Sequence, residues 1–398
     1  MTEPFGNLPD HSPLGASGAY RWMVCPGSVR LAIGYKDEAS PFALEGTAAH
    51  GLADLCLRSG IDAWEMIGEA YPVDGHEGGA YVEYTKDMAD AVQVYLDSVR
   101  SRYPDRNQGN FFVEYGFHCP DIHPLFYGQS DLVYVDEEDR RLDVDDYKHG
   151  AGIVIDVQEN PQSMYYACGV LDSMNLWDKI DKVTLRIVQP RGWHQDGPIR
   201  AWSISTATLW QWQQDYLLPA MHLAETSMDT KSGEHCRFCP VRYRQCPQLQ
   251  DDFDELEELM DLLAKKGGAK ALSNPQIGRI LSLGEIVKIA EKAAQETAFA
   301  RMSSGKKIPG RKLVRGKVNR AWKDGAMDAL VMKFGHQAYA ERKLLTPAKI
   351  EKLPEGEALA TAWSEKPIGS LVVVNVSDKR AAVNTDTKSL FKDMTKEK

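Results

Sequence analysis

The order of the strand-like and helical segments is the strongest constraint on the fold of this chain. Short runs rich in β-branched and aromatic residues, separated by turn residues, predict five strands. The predicted strands are residues 110–117, 130–136, 141–148, 182–190 and 200–205. Apolar residues at helical spacing predict the helices, which are residues 43–60, 86–103, 157–172 and 208–225. This order predicts an α/β fold with a mixed central β-sheet flanked by helices.

The composition changes after about residue 250. An acidic helical segment and a glycine-containing linker occupy residues 251–275. Beyond them lie a long helix with an apolar stripe, a basic stretch and an apolar strand candidate at 370–376. We therefore predict a first domain at residues 1–250, a connecting segment at 251–275 and a mostly helical C-terminal extension at 276–398.

Charge and cysteine content narrow the function classes. A net charge of -10 in 398 residues disfavours nonspecific coating of nucleic acid but permits a local basic groove. The first residues lack the basic and apolar regions of a signal peptide, and no apolar run of about 18 residues occurs. We expect a cytoplasmic protein that does not interact with a membrane. Seven cysteines then favour metal or redox use over disulfides.

The sequence DVDDYKHG, residues 143–150, places several charges in a predicted strand. Because alternate residues of a strand share a face, Asp146 and Lys148 point one way and Asp145 the other. If the strand that contains Asp131 is its neighbour, Asp131 and Asp146 converge, as a hard-cation site requires. Two carboxylates, a metal ion and a lysine suit phosphodiester hydrolysis. Taken alone, charges at strand ends are more often simply solvated.

Four short motifs add a family resemblance. They are EGTAAH at 45–50, GQSD at 128–131, DYK at 146–148 and QSMYY at 162–166. Their order and approximate spacing resemble the PD-(D/E)XK nuclease superfamily, closest to its RecB-like branch. The resemblance covers roughly residues 12–250 and implies a restriction-endonuclease-like core. The opening GASGAYRWMVCPGS and the VQPRGW element resemble an uncharacterised bacterial and phage-associated group of such nucleases.

The resemblance implies a role for each matching residue. Lys148 would assist catalysis, and Gln162 and Tyr166, one helical turn apart, would position DNA or Lys148. A bound Mg²⁺ or Mn²⁺ would activate water for attack on the phosphodiester. The implied ligands of that metal ion are His50, Asp131, Asp146 and the backbone carbonyl of Tyr147.

Other charged residues near these motifs leave alternatives open. A lone histidine such as His50 is more often a satisfied core residue than a ligand, and the motif context reverses that preference. Glu45 is expected to cap or brace its helix. Glu114 is a possible site carboxylate, although a solvent-facing strand residue is the favoured interpretation. Asp143 and Asp145 are interpreted as residues on the opposite face or as outer neighbours of the site.

The cysteines of CRFCPVRYRQC predict a metal site. Cys236, Cys239 and Cys246 have C-x2-C-x6-C spacing, and Cys25 is the candidate fourth ligand. One cysteine before the core and three after it resemble the iron–sulfur nucleases of the AddB type and the CRISPR-associated RecB-like exonucleases. That resemblance implies a 4Fe–4S cluster that closes the core, with Zn²⁺ as the alternative. The other cysteines are expected to be buried free thiols, namely Cys56, Cys119 and Cys168.

A basic stretch at residues 301–323 contains nine lysines or arginines and no acid. Together with Trp322 it is interpreted as a basic hairpin that contacts DNA phosphates, and a solvated ribbon is the alternative. The candidate contact residues are Arg311, Lys312, Arg315 and Lys317.

These observations predict a Mg²⁺- or Mn²⁺-dependent deoxyribonuclease. We expect an exonuclease that acts on single-stranded DNA or free DNA ends in phage or bacterial recombination, repair or processing. Its expected partners are DNA and a phage or host recombination or replication protein. One alternative is a non-catalytic DNA-end-binding or recombination accessory protein on a nuclease fold. Another is a zinc-stabilised scaffold that binds no nucleic acid.

Overall fold

The structure of the protein is a computed structural model. It describes residues 9, 11–35, 40–73, 80–104, 109–242, 246–265, 268, 270, 272–315, 320–323, 325–340, 343–365, 371–375 and 380–383. The chain divides into two compact units, residues 1–286 and residues 287–398. The division falls within one long helix. The boundaries predicted at 250 and 275 stay predictions.

Twelve helices and thirteen strands are described, together with several short 3-10 turns. The helices are α1 Ala19–Trp22, α2 Gly27–Ala32, α3 Pro41–Ser59, α4 Lys86–Arg102, α5 Pro161–Ser173, α6 Thr206–Trp212, α7 Leu218–Thr226, α8 Pro247–Lys265, α9 Asn274–Ser303, α10 Ala326–Phe334, α11 Pro347–Ile350 and α12 Gly356–Trp363. The strands are β1 Ala70–Val73, β2 Ala80–Glu83, β3 Phe111–His118, β4 Tyr127–Asp136, β5 Arg141–Tyr147, β6 Lys182–Val188, β7 Ile199–Ser205, β8 Arg311–Arg315, β9 Ala321–Trp322, β10 Tyr339–Ala340, β11 Lys343–Leu344, β12 Ser364–Glu365 and β13 Leu371–Asn375.

The central sheet has five strands in the order β3-β4-β5-β6-β7. Antiparallel pairing joins β3 to β4, β4 to β5 and β6 to β7, and the pair β5–β6 is parallel. Helix α5 makes the crossover that the parallel pair requires. The predicted fold class, a mixed sheet flanked by helices, is confirmed, as is the helical character of the C-terminal part.

The two faces of the sheet bury separate cores. On one face Val133 and Val144 pack with α5 and the helices α1, α6 and α7. On the other face Leu132 and Tyr147 pack with α3 and α4. Residues one apart on a strand therefore face different cores, which is the alternation expected for a sheet covered on both sides.

Local signals set the start of the two helices that border the candidate site. Ser40 caps α3 by accepting a hydrogen bond from the backbone N–H of Ala43, and Pro41 follows at the first helical position. Asn160 and Pro161 begin α5 in the same way. The predicted start of this helix at residue 157 is therefore four residues too early. At Gly169 of α5 a Cβ atom would lie 2.1 Å from the Phe117 ring, so a glycine is needed there for close packing on β3.

Two parts of the first unit differ from the sequence prediction. No helix or strand was predicted between residues 60 and 86, but the antiparallel pair β1–β2 lies there. Tyr71 and Tyr84 of this region pack on the core that contains α3 and α4, and that burial stabilises the segment. The predicted helix at 208–225 is two helices, because a π-helical turn separates α6 from α7.

The second unit has its own small core. Ala326, Leu330 and Ala360 are buried within it, and Trp322 packs against them. Strand β8 of the basic stretch pairs with β13, and β9 pairs with β12. Of the described helices in either unit, none combines the length and the apolar character that a membrane crossing requires.

Candidate metal centre and catalytic site

Asp131 is the centre of the candidate site. It lies within β4, and the register of the neighbouring strands places it beside Asp146 of β5. One carboxylate oxygen is 3.3 Å from His50 Nδ1, and the other accepts a hydrogen bond of 2.6 Å from the backbone N–H of Tyr147. Helix α3 and the consecutive strands β4 and β5 therefore meet at one carboxylate.

Glu114 also belongs to this site. The β3–β4 pairing joins Val113 to Leu132 and Tyr115 to Ser130, so Glu114 lies in the gap of the ladder next to Asp131. Its φ of 52° interrupts the regular ladder at this point. Potential ligand atoms of His50, Glu114 and Asp131 lie within 4.8 Å of one another. The solvent-facing interpretation of Glu114 is therefore wrong.

Asp146 and Lys148 point to the same face of the sheet, as the strand period predicts. Lys148 Nζ lies 3.0 Å from Oδ1 and 2.8 Å from Oδ2 of Asp146. The Asp146 side chain is almost fully buried, whereas that of Lys148 is 23% exposed. The lysine ammonium group therefore lies between a buried carboxylate and solvent, where it can reach a bound phosphate.

Gln162 and Tyr166, on successive turns of α5, complete this group. Gln162 Oε1 accepts a hydrogen bond of 2.9 Å from Lys148 Nζ. The Gln162 amide nitrogen donates to Asp146 Oδ1 at 3.3 Å and to the Tyr166 hydroxyl at 3.1 Å. The network fixes the amide orientation, because only its oxygen can accept from an ammonium group. All six predicted catalytic side chains thus lie in one neighbourhood.

Neighbouring charges shift the pKa values at the site. Burial lowers the pKa of His50, but the Asp131 carboxylate outweighs burial and raises that pKa to about 9. Burial, followed by the charge of Asp131, raises the pKa of Glu114 to about 7. Burial also raises the pKa of Asp146, although Lys148 opposes the shift. Crowded carboxylates of this kind are costly without a cation.

Asp143 and Asp145 lie on the opposite face of β5. The Asp145 carboxylate is fully buried and pairs with Arg186 at 2.6 Å and with Arg102. The Tyr103 hydroxyl donates to Asp143 at 2.7 Å. These aspartates therefore anchor α4 and β6 to β5 and do not join the group around Asp131.

A second polar network, which sequence reasoning missed, borders the site. The Tyr147 hydroxyl is 2.9 Å from His149 Nδ1, and His149 Nε2 lies 3.2 Å from Glu45. Arg191, which follows β6, donates to Glu45 at 2.7 Å and reaches Asp87 at 3.2 Å. Its members come from four separate segments of the chain, so no local sequence pattern predicts that they meet. The VQPRGW element was the one motif that drew attention to the segment of Arg191. Glu45 braces α3 against β5 through these contacts.

Two of the predicted cysteine ligands, Cys25 and Cys236, contact His235. Burial raises the pKa of the Cys25 thiol, but the hydrogen bonds with His235 and with the Lys231 backbone together outweigh burial and lower it. Hydrogen bonds with Cys236 and then Cys25 raise the pKa of His235 to about 10. Burial raises the pKa of Cys239 and of Cys246, and the charges of Cys25 and Cys236 add to both shifts. Each of the four cysteines is a free thiol.

The two chain segments that carry these cysteines pack against each other. Gly27 donates its backbone N–H to the carbonyl of Asp229 at 2.8 Å, and the Cys25 sulfur accepts from the backbone N–H of Lys231 at 3.3 Å. A Cβ atom at Gly27 would lie 2.5 Å from the backbone of Met228, so only glycine permits this approach. Among the described residues, no three of the four cysteine sulfurs lie within 4.8 Å of one another. The donor set nevertheless suits a thiolate-bound metal group.

A second group of potential ligands lies elsewhere, formed by His123, His222 and Glu225. The Nδ1 atom of buried His123 accepts a hydrogen bond of 3.1 Å from the backbone N–H of Leu125. The neutral ring must then carry its proton on Nε2, which lies 3.1 Å from Glu225. This nitrogen donates its proton to the carboxylate and therefore has no lone pair with which to bind a metal ion. We interpret the His123–Glu225 contact as a structural hydrogen bond.

The basic stretch differs from the predicted hairpin. Its strand β8 pairs with β13, which is about sixty residues away in the sequence. Trp322 donates to the Leu345 carbonyl at 2.9 Å and packs on the C-terminal core, so it does not form a face for DNA. Arg311 and Arg315 are exposed, and Lys312 is half-buried with its Nζ donating to the Arg380 carbonyl at 2.5 Å. Lys317 lies outside the described residues.

Comparison with known protein families gives one match, which covers nearly the whole chain. A family described as "Protein of unknown function (DUF2800)" matches residues 11–381. The chain belongs to the DUF2800 family. The match includes both compact units, so the DUF2800 family extends over the candidate site, the cysteines and most of the C-terminal unit.

Proposed function

We propose that this member of the DUF2800 family is a metal-dependent deoxyribonuclease of the RecB-like type. The observation that carries the proposal is the convergence of His50, Glu114 and Asp131 next to the Asp146–Lys148 pair. Crowded, partly buried carboxylates beside a lysine suit a divalent cation and a phosphate ester. A purely structural role would not require a lysine held at the edge of such a group.

The chain's own residues would bind and orient the reactants. His50, Glu114, Asp131 and Asp146 would hold Mg²⁺ or Mn²⁺, with the Tyr147 carbonyl as the predicted backbone ligand. Such an ion supplies Lewis-acid activation of a water molecule and neutralises charge on the phosphate. Lys148, oriented by Asp146 and Gln162, would place its ammonium group on the phosphate oxygens as negative charge develops there. Tyr166 would hold Gln162 in the orientation that this task needs.

We further propose that Cys25, Cys236, Cys239 and Cys246 hold a structural 4Fe–4S cluster, with Zn²⁺ as the alternative. Four free thiols, two of which hydrogen-bond with His235, support a negatively charged metal–thiolate group. The contacts between Gly27 and Asp229 support a role in closing the ends of the first unit. The residues of the candidate catalytic group are not among these donors.

Cleavage of end-labelled DNA tests the proposed activity. Linear single-stranded, linear double-stranded and circular DNA are incubated with the protein and Mg²⁺, Mn²⁺ or EDTA. We expect cleavage with either metal, none with EDTA, and none with the Lys148→Ala variant at an unchanged melting temperature. Resistance of circular DNA identifies an exonuclease. Metal-independent DNA binding without cleavage by the wild type would instead favour the accessory-protein alternative.

A further inference from the structure

Two aromatic side chains beside the candidate site are almost fully exposed. Trp193, in the turn between β6 and β7, is 84% exposed, and Phe42, in the first turn of α3, is 83% exposed. Phe42 lies one helical turn before Glu45, and Trp193 lies two residues after Arg191. Because Arg191 donates to Glu45 at 2.7 Å, the two segments that carry these rings meet at this pair.

The exposure of Trp193 does not result from a poorly anchored turn. At the preceding Gly192, a Cβ atom would lie 2.8 Å from the side chain of Gln189, so the backbone packs closely there. Gln189 is buried, and its amide bonds three backbone groups of residues 150–155. On the other side, His194 lies 3.1 Å from Asp156 and accepts from the Asp196 backbone at 3.0 Å. The fold therefore holds this indole ring in solvent.

The segments that carry the two rings connect to the candidate catalytic site through Glu45 and His149. Glu45, which the Phe42 segment carries, lies 3.2 Å from His149, and His149 directly follows Lys148 in the chain. Large exposed aromatic rings held on a fixed backbone are typical of binding surfaces. Bases of a single strand stack on such rings without regard to sequence, because every base has a π-face. A duplex offers no such faces along its length.

The local charges favour base stacking over phosphate binding. Arg191 is the nearest cation to Trp193 in the sequence, and it pairs with both Glu45 and Asp87. Its charge is therefore already balanced. We propose that Trp193, together with Phe42 on the adjoining segment, is a stacking platform that holds unpaired DNA bases next to the catalytic group. This inference rests on the proposed nuclease function and assigns it a single-stranded substrate.

Binding of a fluorescent 12-nucleotide oligothymidylate, measured by anisotropy with Ca²⁺ in place of Mg²⁺, tests the platform. We expect Trp193→Ala to weaken binding about tenfold, within the range for loss of one base–aromatic stack. Trp193→Phe should retain most of the affinity. The salt dependence of binding should stay as in the wild type, because no phosphate contact is lost. Trp210→Ala, which removes a half-exposed tryptophan elsewhere on the surface, is the control and should bind as the wild type does.

The outcomes separate this inference from the proposed function. Wild-type protein that cleaves DNA, together with a Trp193→Ala variant of unchanged affinity, overturns the platform alone. A reduced salt slope in that variant also overturns it, because the lost contact was then electrostatic. Wild-type protein that neither binds the oligonucleotide nor cleaves DNA overturns the nuclease proposal and the platform with it. An unchanged melting temperature shows that lower affinity is not caused by unfolding.

Discussion

Asp145 and Asp146 are adjacent in β5, yet their carboxylates serve opposite faces of the sheet. Asp145 is fully buried between Arg186 and Arg102, whereas Asp146 pairs with Lys148 in the candidate site. One aspartate thus compensates two arginines that hold the fold together, and the other contributes to a crowded acidic group. The two positions should respond differently to the same substitution.

We expect Asp145→Asn to lower the free energy of unfolding by about 3–5 kcal/mol, because it leaves buried arginine charges without their partner. Asp146→Asn should abolish DNA cleavage and leave metal-free stability no lower than that of the wild type, since it relieves carboxylate crowding. Urea unfolding and a cleavage assay on both variants make the comparison. Equal loss of stability in the two variants would contradict the assignment of Asp146 to the site.

Glu114 provides a test of the metal centre that the family resemblance did not suggest. Glu114→Gln should weaken Mn²⁺ binding by about tenfold or more, because even an outer partner of a metal ligand is worth that much. Glu138→Gln, in the exposed turn after β4, is the control and should bind Mn²⁺ as the wild type does. Calorimetric titration with Mn²⁺ measures both. Wild-type Mn²⁺ affinity in Glu114→Gln would exclude it as a ligand.

The strand period explains why part of this site was predictable. Alternation along β5 sufficed to separate Asp145 from Asp146 and to join Asp146 with Lys148. The place of Glu114 depended on the β3–β4 register, which the connection between the strands sets and which no local pattern reveals. The Glu45–His149–Arg191 network depended on tertiary contacts between distant segments.

Helix and strand types were largely predictable because the apolar patterns are strong. The exceptions have local physical causes. Asn160 and Pro161 delay the start of α5, and a π-helical turn divides the helix predicted at 208–225. The pairing of β8 with β13 joins residues about sixty apart, which strand propensity alone cannot specify.

The buried His123 predicts a pH dependence of stability. Burial lowers its pKa, and Glu225 only partly opposes the shift. As the pH falls below about 6.5, the ordinary histidine pKa, the unfolded chain takes up a proton that the folded protein does not. The stability contribution is therefore complete above that pH and is lost as the pH falls through the lowered pKa.

We accordingly expect His123→Asn to reduce the loss of stability between about pH 6.5 and pH 5. Urea midpoints at several pH values measure the effect. His222→Asn should reduce this loss to a smaller extent, because the charge of His222 adds to the lowering of the His123 pKa. A His123→Asn variant with the full wild-type slope would show that other groups cause the acid sensitivity.

The basic strand β8 carries a separate prediction about DNA binding. Replacing Arg311, Lys312 and Arg315 together by alanine should lower DNA affinity and reduce the salt dependence of binding, because fewer counterions are released. Cleavage at saturating DNA in a single turnover should be unchanged. Alanine at Lys349 and Lys352 is a control for loss of positive charge elsewhere in this unit. Unchanged affinity in the triple variant would favour the solvated-ribbon alternative.

The last prediction concerns the cysteines that join the ends of the first unit. Cys25 and Cys236 are about 210 residues apart in the sequence, and a metal group between them closes a loop of that length. By analogy with a disulfide, such a closure contributes about 5 kcal/mol to stability. Cys25→Ala and Cys239→Ala should each lose the visible iron–thiolate absorption of anaerobically purified protein and melt at a much lower temperature.

Cys56→Ala is the matched control, because Cys56 is buried but has no place in the cysteine group. The cavity that this substitution leaves should lower the melting temperature, while the iron content and the visible absorption stay at wild-type levels. Activity of the Cys25 variant should fall only in proportion to the folded protein that is lost, since the proposed catalytic group includes none of these cysteines. Colourless wild-type protein that contains zinc would replace the iron–sulfur cluster with the zinc alternative. Undiminished metal content and melting temperature in Cys25→Ala would exclude the closure itself.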